Sequence, residues 1–248
     1  SDFAGSTIVH SVGGWAALTG ALILGARKGK YNSNGTANIM PGQSIPMATL
    51  GVWILWLGWF GFNGASQLAL GSYIDADAVA TIFANTSMAA AGGVMGAMIL
   101  SRLVYGKTDI SATLNGAIAG LVSITAEPLT PVIGEAIIIG AIGGVLCMFG
   151  MKLLDKLKID DVVGAIPAHL IAGVWGTLIV PFTNADASYG VQIIGILAFG
   201  LFTVIGSTIV WLILKSTVGI RASEEDEVYG LDLSEAGSIG YPEYTSKK

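Results

Sequence analysis

The stretch DFAGSTIVH at residues 2–10 has a counterpart near the other end of the chain, DVVGAIPAH at residues 161–169. Each begins with an aspartate and has a glycine three residues later and a histidine eight residues later. A further glycine follows four residues after each histidine. His10 and His169 are the two histidines of the 248 residues. Both therefore lie in copies of one pattern, which suggests that the two stretches have matching places in the fold.

The composition is typical of an integral membrane protein. Hydrophobic residues make up 53% of the chain and charged residues 12%, against roughly 25% charged in an average soluble domain. The mean hydropathy is +0.71, and a soluble chain would need a more polar surface. The net charge of −5 gives no indication of a nucleic-acid partner, and a single cysteine, Cys147, excludes a disulfide framework.

Seven apolar segments follow one another along the chain. They lie at roughly 4–25, 46–70, 78–105, 111–126, 132–153, 162–183 and 190–214. Most are close to the ~20 residues that a helix needs to cross a bilayer, and the fourth is short. We therefore predict an all-α, polytopic transmembrane bundle with about seven spans over residues 1–214, followed by a polar, acidic tail over residues 215–248.

The positive charges are confined to alternate connections. The basic residues are Arg27, Lys28, Lys30, Arg102, Lys107, Lys152, Lys156, Lys158, Lys215, Arg221, Lys247 and Lys248. The other connections hold only acidic charges, at Asp75, Asp77, Glu127 and Asp186. Because basic residues are concentrated on the cytoplasmic side of a membrane, we predict a cell-membrane protein whose N-terminus lies outside and whose C-terminus lies in the cytoplasm.

This orientation makes the two matching stretches antiparallel, since the first span runs inward and the sixth outward. Inverted repeats are common in transporters, and their sites lie near the bilayer midplane. Eight helical residues at ~1.5 Å each place each histidine ~12 Å deep, so that His10 and His169 would lie within ~6 Å of each other in depth. Gly14 and Gly173, one turn further on, would allow the two helices to approach closely.

The pattern is open to a less specific interpretation. Short matches of this kind arise by chance in a chain with 35 glycines, and a histidine in a membrane helix can serve as a hydrogen-bonding residue in packing. Ionisable groups inside a bilayer are costly, however, and are therefore functional candidates. Two neutral imidazoles in contact suit a small species that forms hydrogen bonds or exchanges protons better than they suit a large anion.

Five stretches together resemble the ammonium transporter (Amt/Rh) family. They are DFAGSTIVH, LGWFGFNGAS at residues 57–66, FANTSMAAA at residues 83–91, GAIAGLVSIT at residues 116–125 and VGIRASEEDEVYGLDLSEAG at residues 218–237. The resemblance covers nearly the whole chain. It implies part of a trimeric, inverted-repeat fold that usually has eleven spans, of which this chain resembles spans five to eleven and lacks the preceding four.

The resemblance implies roles for individual residues. His10 and His169 match the twin histidines of the family's ammonia pore, and Asp2 matches an acidic residue of the outer recruitment region. The remaining matches are two pore-facing aromatic residues and the hydroxyl of the outer ammonium site, at Trp59, Phe62 and Ser66. These three share one helix face; from the residues alone, the two aromatic rings would be assigned to the core or to lipid.

The chain departs from the family pattern at several positions. Gly164 replaces a second acidic residue between Asp161 and His169, and Pro167 predicts a kink or loosened backbone two residues before that histidine. The turn after the fourth segment reads TAEPLTPVIGE, unlike the family's turn, and leaves Glu127 and Glu135 unexplained. Glu135 is either a helix-start charge or an additional ion site. Asn85 and Thr86 match a polar pair for which we predict a role in helix packing.

The sequence thus predicts ammonium or ammonia transport, without a cofactor or enzymatic activity. The predicted partners are membrane lipid, two further copies of the chain in a homotrimer, and a PII-type regulatory protein at the tail. An ammonium sensor, or a partial subunit without transport of its own, is the main alternative. A retinal protein would need a lysine in the interior of a span, which the sequence lacks. Two histidines without nearby cysteines or further carboxylates within the spans make a poor metal site. An aquaporin-like channel would need paired Asn-Pro-Ala turns, which are absent from the sequence.

Overall fold

A computed structural model describes residues 1–242 and shows a bundle of seven apolar helices, one for each predicted segment. Their bounds are α1 Ser6–Leu24, α2 Ile45–Ala65, α3 Tyr73–Tyr105, α4 Ile110–Ile124, α5 Ile133–Lys156, α6 Pro167–Thr183 and α7 Tyr189–Thr217. Five of them are long and apolar enough to cross a membrane, and α4 and α6 are shorter. The predicted all-α membrane fold is confirmed.

Two helix boundaries differ from the predicted ones for local reasons. Helix α3 begins at Tyr73 because the Ser72 side chain accepts a hydrogen bond from the Asp75 N–H, which caps the first turn. Asp75 and Asp77 therefore lie in the first turns of this helix rather than in a connection. Helix α2 ends at Ala65 because the chain turns there, and Leu68 has a positive φ of 61°.

The core of the bundle is formed by α3, α4 and α5, which approach so closely that glycines replace side chains at their contacts. A Cβ atom on Gly93 would overlap the carbonyl oxygen of Gly116, and one on Gly140 would overlap that of Ala89. Residues 116–124 of α4 are all buried. In membrane helices, where water does not drive association, such contacts between small residues allow the dense packing that holds helices together.

Buried amides connect this core to its neighbours. The Asn85 amide donates to the carbonyl oxygens of Pro128 and Pro131 in the connection between α4 and α5, at 3.0 and 2.7 Å. The Asn63 amide donates to the Thr86 hydroxyl at 2.9 Å and thereby joins α2 to α3. These contacts agree with the packing role predicted for Asn85 and Thr86.

The two unexplained glutamates both make structural contacts. The Glu135 carboxylate accepts a hydrogen bond from the Val132 N–H at the start of α5, at 2.9 Å. It acts in the first turn, which is the helix-start interpretation of this residue. The buried Glu127 accepts from the Asn184 amide at 2.8 Å and joins the end of α4 to the end of α6.

Charged side chains tie two connections together at one end of the bundle. The Arg27 guanidinium donates to both carboxylate oxygens of Asp160 at 2.8 and 2.9 Å, and the Lys30 ammonium lies 2.9 Å from the Asp155 carboxylate. Hydrogen bonding from Arg27 lowers the pKa of Asp160. The connection after α1 and the connection before α6, both predicted to be cytoplasmic, therefore meet.

The tail is more ordered than a solvated segment. It forms two short helices, α8 Glu224–Tyr229 and α9 Leu231–Ala236. The Arg221 guanidinium donates to the Glu227 carboxylate and to the carbonyl oxygens of Leu24 and Ala26 just after α1. The start of the tail thus lies against the end of the first helix. The predicted cytoplasmic residues Lys247 and Lys248 lie outside the described residues.

Candidate functional site

Helices α1 and α6, which carry the two matching stretches, cross in an antiparallel sense. The hydroxyl groups of Thr7 and Thr177 are 2.6 Å apart, and seven residues further along α1, Gly14 lies against Leu170 of α6. A later residue of α1 thus contacts an earlier residue of α6, as in two antiparallel helices. A Cβ atom on Gly14 would lie 2.6 Å from the Leu170 nitrogen, and one on Gly173 would overlap the Ser6 carbonyl oxygen. The close approach predicted at both glycines is confirmed.

Both histidines lie on π-helical turns. Residues Ser6–Ser11 form one at the start of α1, and residues Pro167–Ile171 form the other at the start of α6. Such wide turns inside helices are rare and are frequently found at functional sites. Pro167 is the first residue of its turn, where a missing N–H costs nothing. The predicted irregularity before His169 thus takes the form of a π-helical turn, and the sequence gave no sign of the one around His10.

The two imidazole rings meet where the helices cross. Their centroids are 5.4 Å apart and their planes differ by 29°, so that the rings are roughly stacked. His10 is buried, with 9% of its surface exposed, and its Nε2 atom has no hydrogen-bond partner within residues 1–242. A buried nitrogen without a partner is costly in a packed core. A small molecule in the site could supply the missing hydrogen bond.

Two aromatic residues of α2 complete one wall. The Trp59 ring stacks on His10 with centroids 4.8 Å apart, and the Phe62 ring lies 5.2 Å from the same histidine. Trp59 is held in place because its indole Nε1 donates to the Thr125 hydroxyl at 2.9 Å. Phe62 is 38% exposed and closes the wall toward the surface.

Ser66 lies one turn beyond this wall. It is half-buried and caps the end of α2, and its hydroxyl donates to the Phe62 carbonyl oxygen at 2.8 Å. With its proton engaged in this way, the oxygen retains a lone pair that can accept from a cation. The structure therefore places His10, His169, Trp59 and Phe62 in one group, with Ser66 at its edge.

The two aspartates begin the two histidine-bearing helices. Asp2 Oδ2 accepts from the N–H groups of Thr7 and Ile8 at 3.0 and 2.8 Å. Asp161 is bonded more extensively: Oδ1 accepts from Gly164 and Ala165, and Oδ2 from Ile166 at 2.7 Å. These bonds satisfy N–H groups that a helix start leaves without partners. Both carboxylates therefore hold the start of a histidine-bearing helix in place.

Gly164, which replaces an acidic residue of the family pattern, has a backbone role. Its φ is +80°, which side-chain-bearing residues rarely adopt. The Asn115 side chain lies against it and donates from its amide to the Val163 carbonyl oxygen at 2.9 Å. The turn between Asp161 and α6 is thus held by α4.

An open cavity of about 310 Å³ lies beside the histidine pair. Its lining residues are Val9, His10, Gly13, Gly14, Ala17, Ala165 and His169. The imidazoles are the only polar side chains in this set. The cavity therefore offers apolar walls and two ring systems that can form hydrogen bonds.

Sequence reasoning missed the hydroxyl groups of Thr7, Thr125 and Thr177 around this site. Thr7 and Thr177 are in contact although 170 residues separate them in the sequence, and Thr125 binds Trp59 over a separation of 66 residues. Thr177 is one turn beyond Gly173 on α6, so its helical spacing from the matching stretch was the available signal.

Replacing Asp161 with alanine is expected to destabilise the protein by about 2–4 kcal/mol, because three N–H groups at the start of α6 lose their charged acceptor. Thermal unfolding in detergent would measure this effect. The control is Asp186→Ala, which removes an exposed carboxylate that takes part in no hydrogen bond found within the described residues. Equal unfolding temperatures for the two variants would contradict the role of Asp161.

Antiparallel apolar helices that cross around a small site, with irregular turns at the crossing, are typical of membrane transport proteins. The sequence identifies the family within this class. The profile of the Ammonium Transporter Family matches residues 1–241, and the chain therefore belongs to that family.

Curated relatives agree with this assignment. Ammonium transporter Amt2 of Archaeoglobus fulgidus is 40% identical over 265 residues, an alignment that covers 98% of this chain and 55% of the relative. Ammonium transporter Amt2 of Methanocaldococcus jannaschii is 39% identical, with 98% and 57% covered. The chain thus spans little more than half the length of these relatives.

Solved structures share the fold. The structure named Sensor Amt Protein superimposes with a TM-score of 0.89 at 35% identity, and 95% of this chain and 60% of that chain are covered. Mep2 of Candida albicans superimposes with a TM-score of 0.79 at 26% identity, and 91% and 53% are covered.

Proposed function

We propose that this chain contributes one wall of a pore through which ammonia, delivered as ammonium, crosses a membrane. The observation that carries the proposal is the contact between His10 and His169, 5.4 Å apart at the crossing of two antiparallel helices. The family membership and the curated relatives named as ammonium transporters support the substrate.

The geometry supports a sequence of three events. Ammonium is first held at the edge of the site by the Ser66 hydroxyl and by the face of Phe62, since an aromatic ring attracts a cation. It then gives up its proton, because the apolar cavity disfavours a charge. The neutral ammonia passes His10 and His169, whose ring nitrogens offer hydrogen bonds. Potassium has no proton to give up and is excluded.

The proposal extends to the surroundings of the pore. Residues 1–214 form the membrane domain, with the N-terminus outside, the C-terminus in the cytoplasm and lipid around the bundle. The protein assembles as a homotrimer, and residues 215–248 offer a docking segment for a PII-type regulator. The alternate placement of basic residues along the sequence supports the orientation.

An ammonium sensor is the second candidate function. It is favoured by the resemblance to the structure named Sensor Amt Protein, at 35% identity. A sensor would use the same site to bind ammonium but would not pass it across the membrane.

The test is uptake of isotope-labelled ammonium by lipid vesicles that contain the purified chain, compared with protein-free vesicles. We expect faster uptake with the protein, and we expect that an excess of potassium will not reduce it. Ammonium binding without uptake would support the sensor. Neither binding nor uptake by a folded protein would contradict both functions for the chain by itself.

A further inference from the structure

A group of basic side chains lies at the adjacent ends of α3 and α5. We call it the α3–α5 basic cluster, and its members are Arg102, Lys107, Lys152 and Lys156. The Lys152 ammonium lies 4.5 Å from the centre of the Tyr105 ring, which brings the two helix ends together. Arg102 is one turn before Tyr105 and Lys156 is one turn after Lys152, so these charges continue along the same helix faces.

In the described part of the chain, the cluster has no carboxylate partner, unlike four other basic residues at this end of the bundle. Arg27, Lys28, Lys30 and Arg221 each form an ion pair with an aspartate or glutamate. Within residues 1–242, no ion pair is found for any of the four cluster members, all of which are exposed. They therefore form a positive surface that the fold itself does not neutralise.

The acidic side chains near the cluster are already engaged. Asp109 caps the start of α4 by accepting from the Ala112 N–H at 3.0 Å. Asp155, one residue before Lys156, lies 2.9 Å from the Lys30 ammonium on its other side. Neither carboxylate forms an ion pair with the cluster.

Exposed apolar side chains accompany the charges. Leu103 is 77% exposed beside Arg102, and Phe149 and Leu153 are 52% and 51% exposed next to Lys152. Phe149 lies one turn further from the helix end than Lys152, toward the middle of α5. The surface is thus positive at the helix ends and apolar just behind them, as at the boundary between headgroups and acyl chains.

We propose that the α3–α5 basic cluster binds the phosphate of an anionic phospholipid. Helix ends with several cations attract acidic lipids, and the apolar side chains behind them match the acyl chains of the same molecule. The acidic tail of a second copy could supply negative charge but would leave those apolar side chains without hydrocarbon. The site is separate from the histidine pair and does not depend on the proposed pore.

The experiment measures the binding of single lipids to the intact chain by native mass spectrometry, with phosphatidylglycerol and phosphatidylcholine as probes. The variant Arg102→Gln/Lys152→Gln is expected to bind phosphatidylglycerol roughly 25-fold more weakly, because each cation near a headgroup contributes about fivefold. Binding of phosphatidylcholine is expected to stay unchanged. The control Lys158→Gln/Lys215→Gln removes the same number of charges elsewhere and is expected to keep the preference.

Three outcomes would overturn the proposal. An equal loss in the control variant would mean that only the total charge matters. Displacement of phosphatidylglycerol by millimolar inorganic phosphate would mean that the site takes a free anion rather than a lipid. Displacement by a peptide of residues 223–237 would mean that the cluster receives the acidic tail of another copy.

Discussion

Replacing both histidines with leucine, in the variant His10→Leu/His169→Leu, is expected to reduce ammonium uptake at least about 30-fold. Leucine approximates the volume of the ring but removes all four ring nitrogens. No other lining residue of the cavity has a polar side chain. Ammonia would then pass this point without a hydrogen bond, which costs about 2 kcal/mol or more. Uptake by vesicles with equal amounts of protein would measure the effect.

The matched control is Phe202→Leu, which replaces an outward ring on α7 that is 78% exposed. It is expected to keep the uptake of the unmutated chain. Helix content and unfolding temperature would show that the double variant is folded. Undiminished uptake by a folded double variant would mean that the histidine pair has no part in passage.

The second large effect is expected in the helix core. Gly140→Ala places a methyl group where the Ala89 carbonyl oxygen lies, and backbone cannot move aside as a flexible side chain can. Helices α3 and α5 would have to separate, and we expect a loss of about 3 kcal/mol in the free energy of unfolding. Unfolding in detergent, followed by circular dichroism, would measure it.

The chain offers a control for this change as well. Gly206 lies in the middle of α7, and a Cβ atom there would meet nothing within 4 Å. Gly206→Ala is expected to be neutral or slightly stabilising, since alanine favours helix over glycine. A similar loss in both variants would mean that glycine flexibility, rather than close packing of α3 and α5, matters at Gly140.

Much of the fold could be predicted because the length and hydropathy of a segment identify a membrane helix. All seven segments correspond to helices, although the boundaries depended on local caps such as Ser72 that hydropathy does not register. The order of the tail could not be predicted, because Arg221 bonds to carbonyl oxygens more than 190 positions away. The sequence around Arg221 does not show which distant residues it contacts.

The candidate site was predictable in part for the same reason. The repeated spacing around His10 and His169 identified the pair, and the antiparallel arrangement followed from the alternating charges. The π-helical turns were not predictable, because a single wide turn leaves the apolar pattern intact. The anchoring of Trp59 by Thr125 was missed because a hydrogen bond between distant helices has no sequence signature.

The aspartates that begin α1 and α6 have an electrostatic consequence for the proposed pore. The start of a helix carries the equivalent of roughly half a positive charge, from its macrodipole. Because the two helices are antiparallel, these positive poles lie at opposite ends of the crossing, where each would repel an approaching cation. Asp2 and Asp161 place a carboxylate on each pole. Each carboxylate therefore offsets the positive pole of its own helix at one of the two approaches to the histidines.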